Sequence, residues 1–256
     1  MPSAWSFLSY AVPCQHLNKG FIYMNTQKPT PRHDDDFGRV FLHSIFPTIQ
    51  GEGIFAGHPA TFVRLAGCNL QCPACDTEYT HDAALTHPNH IADLVELNTA
   101  PNKLVVITGG EPLRQNIDDL VSVLLTRGYT VQLETNGSLP LTEHLTYLKE
   151  WAHAKFKIMC SPKLRIHSQI APYVDAWKYV LDFRSVNVEN GLPTHALELK
   201  GKVAYPPHDC DQPIYLQPLD SYNHELNRKH LDAVIKSCMK HGYTLCLQQH
   251  KIIDVE

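Results

Sequence analysis

Seven short apolar runs, separated by helical patterns, constrain the fold of this chain more than any other feature. The runs are rich in β-branched and aromatic residues. Several are apolar almost throughout, which is typical of strands buried on both faces of a parallel sheet. The repeated order of strand and helix predicts a parallel α/β fold. The predicted strands cover residues 60–67, 103–110, 129–137, 155–163, 175–182, 212–220 and 243–251.

Three of the segments between these runs have the spacing of amphipathic helices. They cover residues 113–127, 141–154 and 223–241, and Gly128 ends the first of them. Polar signatures such as "TGGEP" and "ETNG" close the strands, and the carboxyl ends of parallel strands form the active-site face of a barrel. Because 256 residues are few for eight strand–helix units, we expect an incomplete, TIM-like (β/α) barrel of parallel strands.

Composition and net charge limit the domain organisation and the binding partners that we expect. Residues 1–36 are polar and proline-bearing without apolar periodicity, so we expect a flexible N-terminal lead-in before one domain over residues 37–256. The formal net charge of −4 gives no support to direct nucleic-acid binding. No apolar run approaches the ~20 residues of a membrane span, and we see no signal peptide. We therefore expect a cytoplasmic protein that does not bind membranes.

Three of the eight cysteines lie together in "GCNLQCPACDTEYT", at Cys68, Cys72 and Cys75. Without secretion such cysteines indicate metal binding rather than disulfides. A structural zinc site usually has four ligands, which His81 or His87 could complete. An iron–sulfur cluster also normally takes four thiolates. Three thiolates on a four-iron cluster would leave one iron open, and an open position is typical of catalytic metal sites.

The CxxxCxxC spacing, with "TGGEP" after a strand, resembles the radical S-adenosylmethionine superfamily. The segments "FPTIQGEGIFAGHPATFVRLAGCNL", "VQLETNG", "CSPK", "YLQPLD" and "LQQHK" are similar, in this order, to the 7-carboxy-7-deazaguanine synthase family. The resemblance extends from about residue 41 to residue 251. It implies a radical S-adenosylmethionine core in a homodimeric partial barrel.

The resemblance also implies the reaction, a radical ring contraction by a carbon–nitrogen lyase. The substrate would be 6-carboxy-5,6,7,8-tetrahydropterin, and the product 7-carboxy-7-deazaguanine, formed with loss of ammonia for queuosine and related 7-deazaguanines. The implied cofactors are a [4Fe–4S] cluster, S-adenosylmethionine and Mg²⁺. An external one-electron reductant, such as flavodoxin or ferredoxin, would be a partner.

For the metals, the resemblance implies that Cys68, Cys72 and Cys75 hold the cluster and that Thr77 is a Mg²⁺ ligand. Magnesium prefers oxygen ligands and keeps several waters, so one hydroxyl together with the substrate carboxylate would suffice. The alternative for Thr77, and for Asp76 beside it, is a role as the N-cap of a following helix.

For S-adenosylmethionine, the resemblance implies a site on the loops that follow the strands. Gly109 and Gly110 would let the backbone approach the methionine amine closely. Glu111 would add charge there, or would be an acid at a helix N-terminus. The other residues implied for this cofactor are Glu134, Asn136, Ser161, Pro162, Lys163, Gln217, Pro218, Leu219 and Asp220.

The substrate would need a protein group that binds its carboxylate and another that accepts hydrogen bonds from the pterin N–H groups. Arg64 offers a guanidinium fork to the carboxylate, unless it forms a salt bridge with Glu52. The Glu52 carboxylate can accept two N–H bonds from the pterin. The residues implied for the substrate are Ile49, Gln50, Gly51, Glu52, Arg64, Thr108 and His250.

One residue departs from the superfamily pattern. An aromatic residue usually precedes the third cysteine, whereas this chain has Ala74, so another group must contact adenine. Two other functions stay open at this point. An enzyme that makes a glycyl radical on a partner would share the cysteines and "GGEP", but would not explain "QGEG" together with Arg64. A non-catalytic binding module stabilised by zinc would contain zinc without iron or sulfide.

Overall fold

A computed structural model of the chain describes residues 25–99 and 101–255. Its centre is a nine-stranded sheet in the order β3-β1-β2-β4-β5-β6-β7-β8-β9. The strands are β1 (Val40–Ile49), β2 (Pro59–Leu65), β3 (Ala84–Thr86), β4 (Leu104–Gly109), β5 (Thr130–Thr135), β6 (Phe156–Cys160), β7 (Ala176–Leu181), β8 (Ile214–Pro218) and β9 (Thr244–Leu245).

From β2 to β9 each strand pairs in parallel with the next one in the sheet. This arrangement confirms the predicted incomplete barrel of parallel strands, and the seven predicted strands correspond to β2 and to β4 through β9. The last of them is much shorter than predicted. Only Thr244–Leu245 is a strand, and part of the rest forms a short helix, because the polar "QQHK" segment turns back toward β1.

The first part of the sheet is antiparallel, which the sequence analysis did not predict. Strand β1 pairs antiparallel with both β2 and β3. Its sequence, "VFLHSIFPTI", mixes polar residues and a proline with apolar ones, so it shows neither a continuous apolar run nor a clean alternation. The β1–β2 connection contains the "QGEG" motif and places it beside the parallel strands.

Five α-helices surround this sheet in the described residues. The three predicted helices are confirmed, but the first begins later than predicted, because residues 112–114 form a separate 3₁₀ turn. None of the helices that the structure describes is both long and apolar enough to cross a membrane. The helices are α1 (Pro88–Leu97), α2 (Asp118–Thr126), α3 (Glu143–Trp151), α4 (His224–His241) and α5 (Gln249–Ile252).

The sheet has an apolar outer face and a divided inner face. Alternate residues of a strand point to opposite faces. On β4, Val105 and Ile107 therefore join the large core under the helices, while Leu104 and Val106 join a small inner cluster with Ala60. Toward the carboxyl ends of the strands, the residues that point to the inner face are polar. The inner face thus has an apolar base and a polar rim at the carboxyl ends of the strands.

The N-terminal segment that the structure describes lies against the cysteine loop. The backbone N–H of Asn25 donates to the Pro73 carbonyl at 2.9 Å, and that of Thr30 donates to the Cys68 carbonyl at 2.7 Å. These residues fall within the predicted flexible lead-in. Backbone hydrogen bonds to a loop do not require apolar residues at regular spacing. The sequence pattern therefore could not indicate that this segment packs on the domain. Residues 1–24 lie outside the described part, and the domain division at residue 36 stays a prediction.

Candidate active site

The cysteine loop, residues 67–80, follows β2 and contains no helix or strand. Cys68 and Cys72 are buried, Cys75 is half-buried, and all three are free thiols. Burial raises the pKa of Cys68 to about 12 and that of Cys72 to about 11, the latter against the nearby ammonium of Lys163. Thiols in such surroundings need a bound cation to become thiolates. Cys72 and Cys75 both act on the pKa of Cys68, so the three thiols lie near one another, and thiolates are the donors that an iron–sulfur cluster takes.

The two histidines that could complete a zinc site have other partners. His81 is exposed and its Nδ1 lies 2.9 Å from a carboxylate oxygen of Glu78. The ring of His87 accepts the backbone N–H of Asn89 and caps α1. The zinc alternative therefore lacks the fourth ligand that the sequence offered for it.

The two glycines after β4 pack against the backbone around the cysteine loop. A Cβ on Gly109, whose φ is +136°, would lie 2.0 Å from the Leu65 carbonyl oxygen. One on Gly110 would lie 2.2 Å from the Gly67 carbonyl oxygen. Glycine is thus required here by the protein's own backbone, in addition to any close approach of a cofactor.

Glu111 is fully buried, and its carboxylate is held by donors of the protein itself. It accepts the Leu113 N–H at 3.0 Å, the Thr135 hydroxyl at 2.7 Å and the Asn136 N–H at 2.6 Å. Burial raises its pKa, and these donors act against that shift. The alternative role at a helix N-terminus is confirmed, since Glu111 caps the 3₁₀ turn. The carboxylate joins the end of β4 to the end of β5.

The loops after β5 and β6 also reach the cysteine loop. The Asn136 amide donates to the side chain of Asn69 at 2.9 Å. The Lys163 ammonium donates to the Ser161 hydroxyl at 2.6 Å and to its carbonyl at 2.7 Å. Burial lowers the pKa of Lys163, the neighbouring Lys178 lowers it further, and the thiols of the loop oppose both. The structure therefore brings "ETNG" and "SPK" together around the three cysteines, with Pro162 buried between the two polar residues.

The loop after β8 connects to the C-terminus. Gln217 and Leu219 are buried and flank the last strand residue, Pro218. The Asp220 carboxylate accepts Lys251 Nζ at 2.9 Å, and the same ammonium lies 2.9 Å from Asp76 in the cysteine loop. The sequence analysis missed this link, because nothing in the spacing relates residues that are so far apart in the chain.

The inner polar rim joins residues that were predicted for different ligands. The Glu134 carboxylate accepts Gln50 Nε2 at 2.9 Å, the Thr108 hydroxyl at 2.9 Å and Gln132 Nε2 at 3.0 Å. Gln50 and Thr108 were predicted to contact the substrate, and Glu134 the ribose of the cofactor. Glu134 therefore lies within hydrogen-bond distance of two residues predicted for the substrate, and its contact with the cofactor ribose stays a prediction.

Glu52 forms a buried ion pair with Lys178 on β7, and also accepts Gln248 Nε2 at 3.0 Å. Burial acts to raise the pKa of Glu52, but Lys178 brings it below its ordinary value. The pKa of Lys178 is raised by Glu52 and Glu134 against the effect of burial. The sequence analysis missed Lys178, although a lysine within the apolar run "DAWKYVLD" was a detectable signal.

Arg64 lies on the same inner face, in register with Thr108 of the neighbouring strand. Its guanidinium carbon is 5.0 Å from the centre of the Phe46 ring, a cation–π distance. The ion pair of Glu52 is formed with Lys178, which does not support the alternative of an Arg64–Glu52 bridge. Arg64, on β2, is a second cation on the inner face, in addition to Lys178 on β7.

The "QGEG" turn after Ile49 packs on the C-terminal helix. A Cβ on Gly51 would lie 2.0 Å from His250 Nδ1, so only glycine allows this contact. Burial lowers the pKa of His250, and Glu52 opposes that shift. Residues from both ends of the sequence, predicted to bind one ligand, therefore lie together.

Thr77 is half-buried and lies two residues after the third cysteine of the loop. Its hydroxyl donates to a carboxylate oxygen of Asp76 at 3.5 Å, and its carbonyl accepts Gln27 Nε2 at 2.9 Å. Among the described residues no helix begins between Thr77 and β3, so the N-cap alternative for Thr77 and Asp76 is wrong.

Known proteins share this arrangement of sequence and fold. The model of the radical SAM superfamily matches residues 63–159. The 7-carboxy-7-deazaguanine synthase of Rhodospirillum rubrum is 36% identical over 230 residues, which are 84% of this chain and 92% of that protein. That of Rickettsia prowazekii is 36% identical over 233 residues, covering 86% and 91%.

A solved structure agrees in fold. The crystal structure of QueE from Escherichia coli has a TM-score of 0.59 and 21% sequence identity, and covers 82% of this chain and 93% of that one. The two bacterial synthases match most of this chain and most of their own lengths. This chain belongs to the 7-carboxy-7-deazaguanine synthase family of radical S-adenosylmethionine enzymes.

Proposed function

We propose that this chain converts 6-carboxy-5,6,7,8-tetrahydropterin to 7-carboxy-7-deazaguanine, with loss of ammonia, in the biosynthesis of queuosine and related 7-deazaguanines. The observation that carries this proposal is the polar rim of the inner face. It combines the carboxylates of Glu52 and Glu134 with the cations of Arg64 and Lys178, and the Gln248 amide links Glu52 to Asp76 of the cysteine loop. Such a set suits a small, flat, anionic heterocycle with several N–H groups.

The cofactor site would lie between the cysteine loop and the loops after β4, β5, β6 and β8. Cys68, Cys72 and Cys75 would hold a [4Fe–4S] cluster, and the remaining position of the cluster would bind S-adenosylmethionine. Bound there, this pair would supply the radical chemistry that removes hydrogen from the substrate. Lys163 lies near the thiols and would lower the negative potential of the loaded site.

The rim residues would bind and orient the pterin. Arg64 would take the substrate carboxylate in a forked, charge-assisted contact. Lys178 keeps Glu52 ionised, so that its carboxylate can accept N–H bonds from the ring. Glu134 on β5, held by the Gln50, Thr108 and Gln132 side chains, would offer a second carboxylate to the ring. The apolar base of the inner face would exclude water below the substrate, which favours radical chemistry without side reactions.

Magnesium would bind next to this rim. Thr77 would supply one hydroxyl ligand, the substrate carboxylate another, and water the rest. With the N-cap role excluded, the proposal rests on the position of Thr77, two residues after the third cysteine and beside Asp76.

The remaining partners are also proposals. The cluster held by the cysteine loop would receive an electron from an external reductant, such as flavodoxin or ferredoxin. The reduced cysteines suit a cytoplasmic location, where thiols stay reduced. A homodimer would cover exposed apolar residues at the C-terminal end, where Ile252 and Ile253 are 68% and 52% exposed. Sedimentation of the purified protein measures this last point.

The test of the reaction is an anaerobic assay of the reconstituted enzyme. The carboxytetrahydropterin, S-adenosylmethionine, Mg²⁺ and a reductant are supplied, and mass spectrometry detects 5′-deoxyadenosine and 7-carboxy-7-deazaguanine. We expect both products with the wild type. Formation of 5′-deoxyadenosine without the deazaguanine, at a substrate concentration that saturates relatives, would overturn the substrate assignment.

A further inference from the structure

The N-terminal strap, residues 25–33, crosses over the cysteine loop and bonds its first two cysteines. The backbone N–H and the hydroxyl of Thr30 both donate to the Cys68 carbonyl, at 2.7 and 3.2 Å. The side-chain amide of Asn25 donates to the Cys72 carbonyl at 3.2 Å. Asn25 is only 5% exposed, so it is built into the protein rather than resting on its surface.

The segment after the third cysteine is held by Gln27 of the strap. Its amide N–H donates to the Thr77 carbonyl at 2.9 Å, and its amide oxygen accepts the Tyr79 N–H at 2.9 Å. One side chain thus uses both ends of its amide to fix the chain between these residues. The Cys75 sulfur contacts the same Thr77 carbonyl at 3.8 Å, so this bond reaches the third cysteine as well.

The other end of the strap is anchored on Arg114, which follows the "GGEP" motif. The guanidinium of Arg114 donates to the Pro31 carbonyl at 2.7 Å and to the Ala66 carbonyl at 3.2 Å. The His33 N–H donates to the Arg114 carbonyl at 2.7 Å. The strap is therefore tied at one end to the cysteine loop and at the other to the turn that packs beneath it.

We propose that Asn25, Gln27 and Thr30 are positioning residues that hold the three cysteines in the arrangement that retains the iron–sulfur cluster. The inference rests on the iron–sulfur site of the proposed function. The cysteine loop has no helix or strand of its own to satisfy its backbone groups. The strap supplies these partners, and so limits the motions of the loop that would expose and release the cluster.

The test compares the cluster in variants of the full chain. Thr30→Val removes the hydroxyl, Gln27→Ala removes both amide contacts, and Thr30→Ser keeps the hydroxyl. Lys28→Ala is the matched control, because Lys28 lies on the strap but is exposed. After anaerobic reconstitution, the iron–sulfur absorbance is followed in an iron chelator without substrate, and the melting temperature of each apo-protein is measured.

We expect Thr30→Val and Gln27→Ala to lose the cluster roughly tenfold faster than the wild type, the factor that corresponds to about 1.4 kcal/mol. Thr30→Ser and Lys28→Ala should lose it at the wild-type rate. Hydrogen exchange of the apo-protein should be faster across residues 68–79 in Gln27→Ala, which gives a second readout if cluster loading is incomplete.

Equal cluster loss in all folded variants, with unchanged exchange of the loop, would overturn the proposal. A second outcome would also overturn it: Thr30→Val and Gln27→Ala melt at a lower temperature but, at temperatures well below melting, lose the cluster no faster than the wild type. That is the pattern of a strap that only stabilises the fold. The measurement uses no pterin, so a wrong substrate assignment would leave its result intact. A wild type that takes up no iron and sulfide would overturn both proposals.

Discussion

Replacing Lys178 by methionine tests the buried ion pair of the polar rim. The side chains of Lys178 and Glu52 are only 13% and 12% exposed. The change therefore leaves Glu52 as a buried anion without its cation. Removing one partner of a buried pair typically destabilises by about 3–5 kcal/mol, and the residual exposure favours the lower end. At about 2–4 °C per kcal/mol for a chain of this size, we expect the melting temperature to fall by roughly 6–12 °C near neutral pH.

The pH dependence of this loss has a definite sign. In the wild type the pKa of Glu52 is below its ordinary value of 4.5, because Lys178 outweighs burial. A lowered pKa in the folded state adds stability above the unfolded pKa, and this stability is lost as the pH falls through the folded pKa. In Lys178→Met, burial and the Asp76 carboxylate raise the pKa of Glu52 against the smaller effect of His250, so we expect the folded pKa to lie above the unfolded one. Stability then falls as the pH rises between the two values, so the deficit of the variant should grow from about pH 4 toward neutrality.

The assay is thermal melting of the apo-protein across this pH range. Arg228→Met is the control, because it breaks the ion pair with Asp232 on the protein surface. These two side chains are 68% and 44% exposed, so the melting temperature should change little. Adding Glu52→Gln to Lys178→Met removes the unpaired charge and should restore part of the lost stability. The reasoning is refuted if Lys178→Met behaves like Arg228→Met at every pH, or if Glu52→Gln in its presence lowers the melting temperature further.

Three other predictions concern the site itself. Changing any one of the three loop cysteines to alanine should abolish the iron–sulfur absorbance and the cleavage of S-adenosylmethionine. Cys160→Ala should keep both, because Cys160 lies in the apolar core. Loss of the cluster in Cys160→Ala would instead indicate a fourth thiolate ligand. Arg64→Ala removes a charged hydrogen bond worth about 1.5–3 kcal/mol, so turnover should fall by more than tenfold while slow uncoupled formation of 5′-deoxyadenosine persists. Equal loss of both activities in the folded variant would contradict a substrate contact. Thr77→Ser should keep most of the stimulation by Mg²⁺ and Thr77→Ala should lose it, and unchanged stimulation in Thr77→Ala would exclude this ligand.

The sequence determined the features that depend on local patterns and short spacings. Apolar runs with β-branched residues form buried strands wherever both faces of the sheet are covered, so β2 and β4 to β9 could be predicted as parallel strands. The three cysteines lie on one loop because they are neighbours in the chain. The motifs "TGGEP" and "SPK" could be placed at the site because the carboxyl ends of parallel strands meet at one edge.

Only the tertiary structure decided the contacts between residues that are distant in the chain and share no period. Lys178 becomes the partner of Glu52 because alternate positions of β7 face inward, toward the "QGEG" turn. Glu134 is linked to Gln50, which is distant in the chain, because both side chains point to the inner face. The polar strap around Asn25 carries no apolar signal, since its role is to satisfy the backbone of a loop. Hydrogen bonds of this kind depend on the folded arrangement of both partners, and that information is spread over the whole chain.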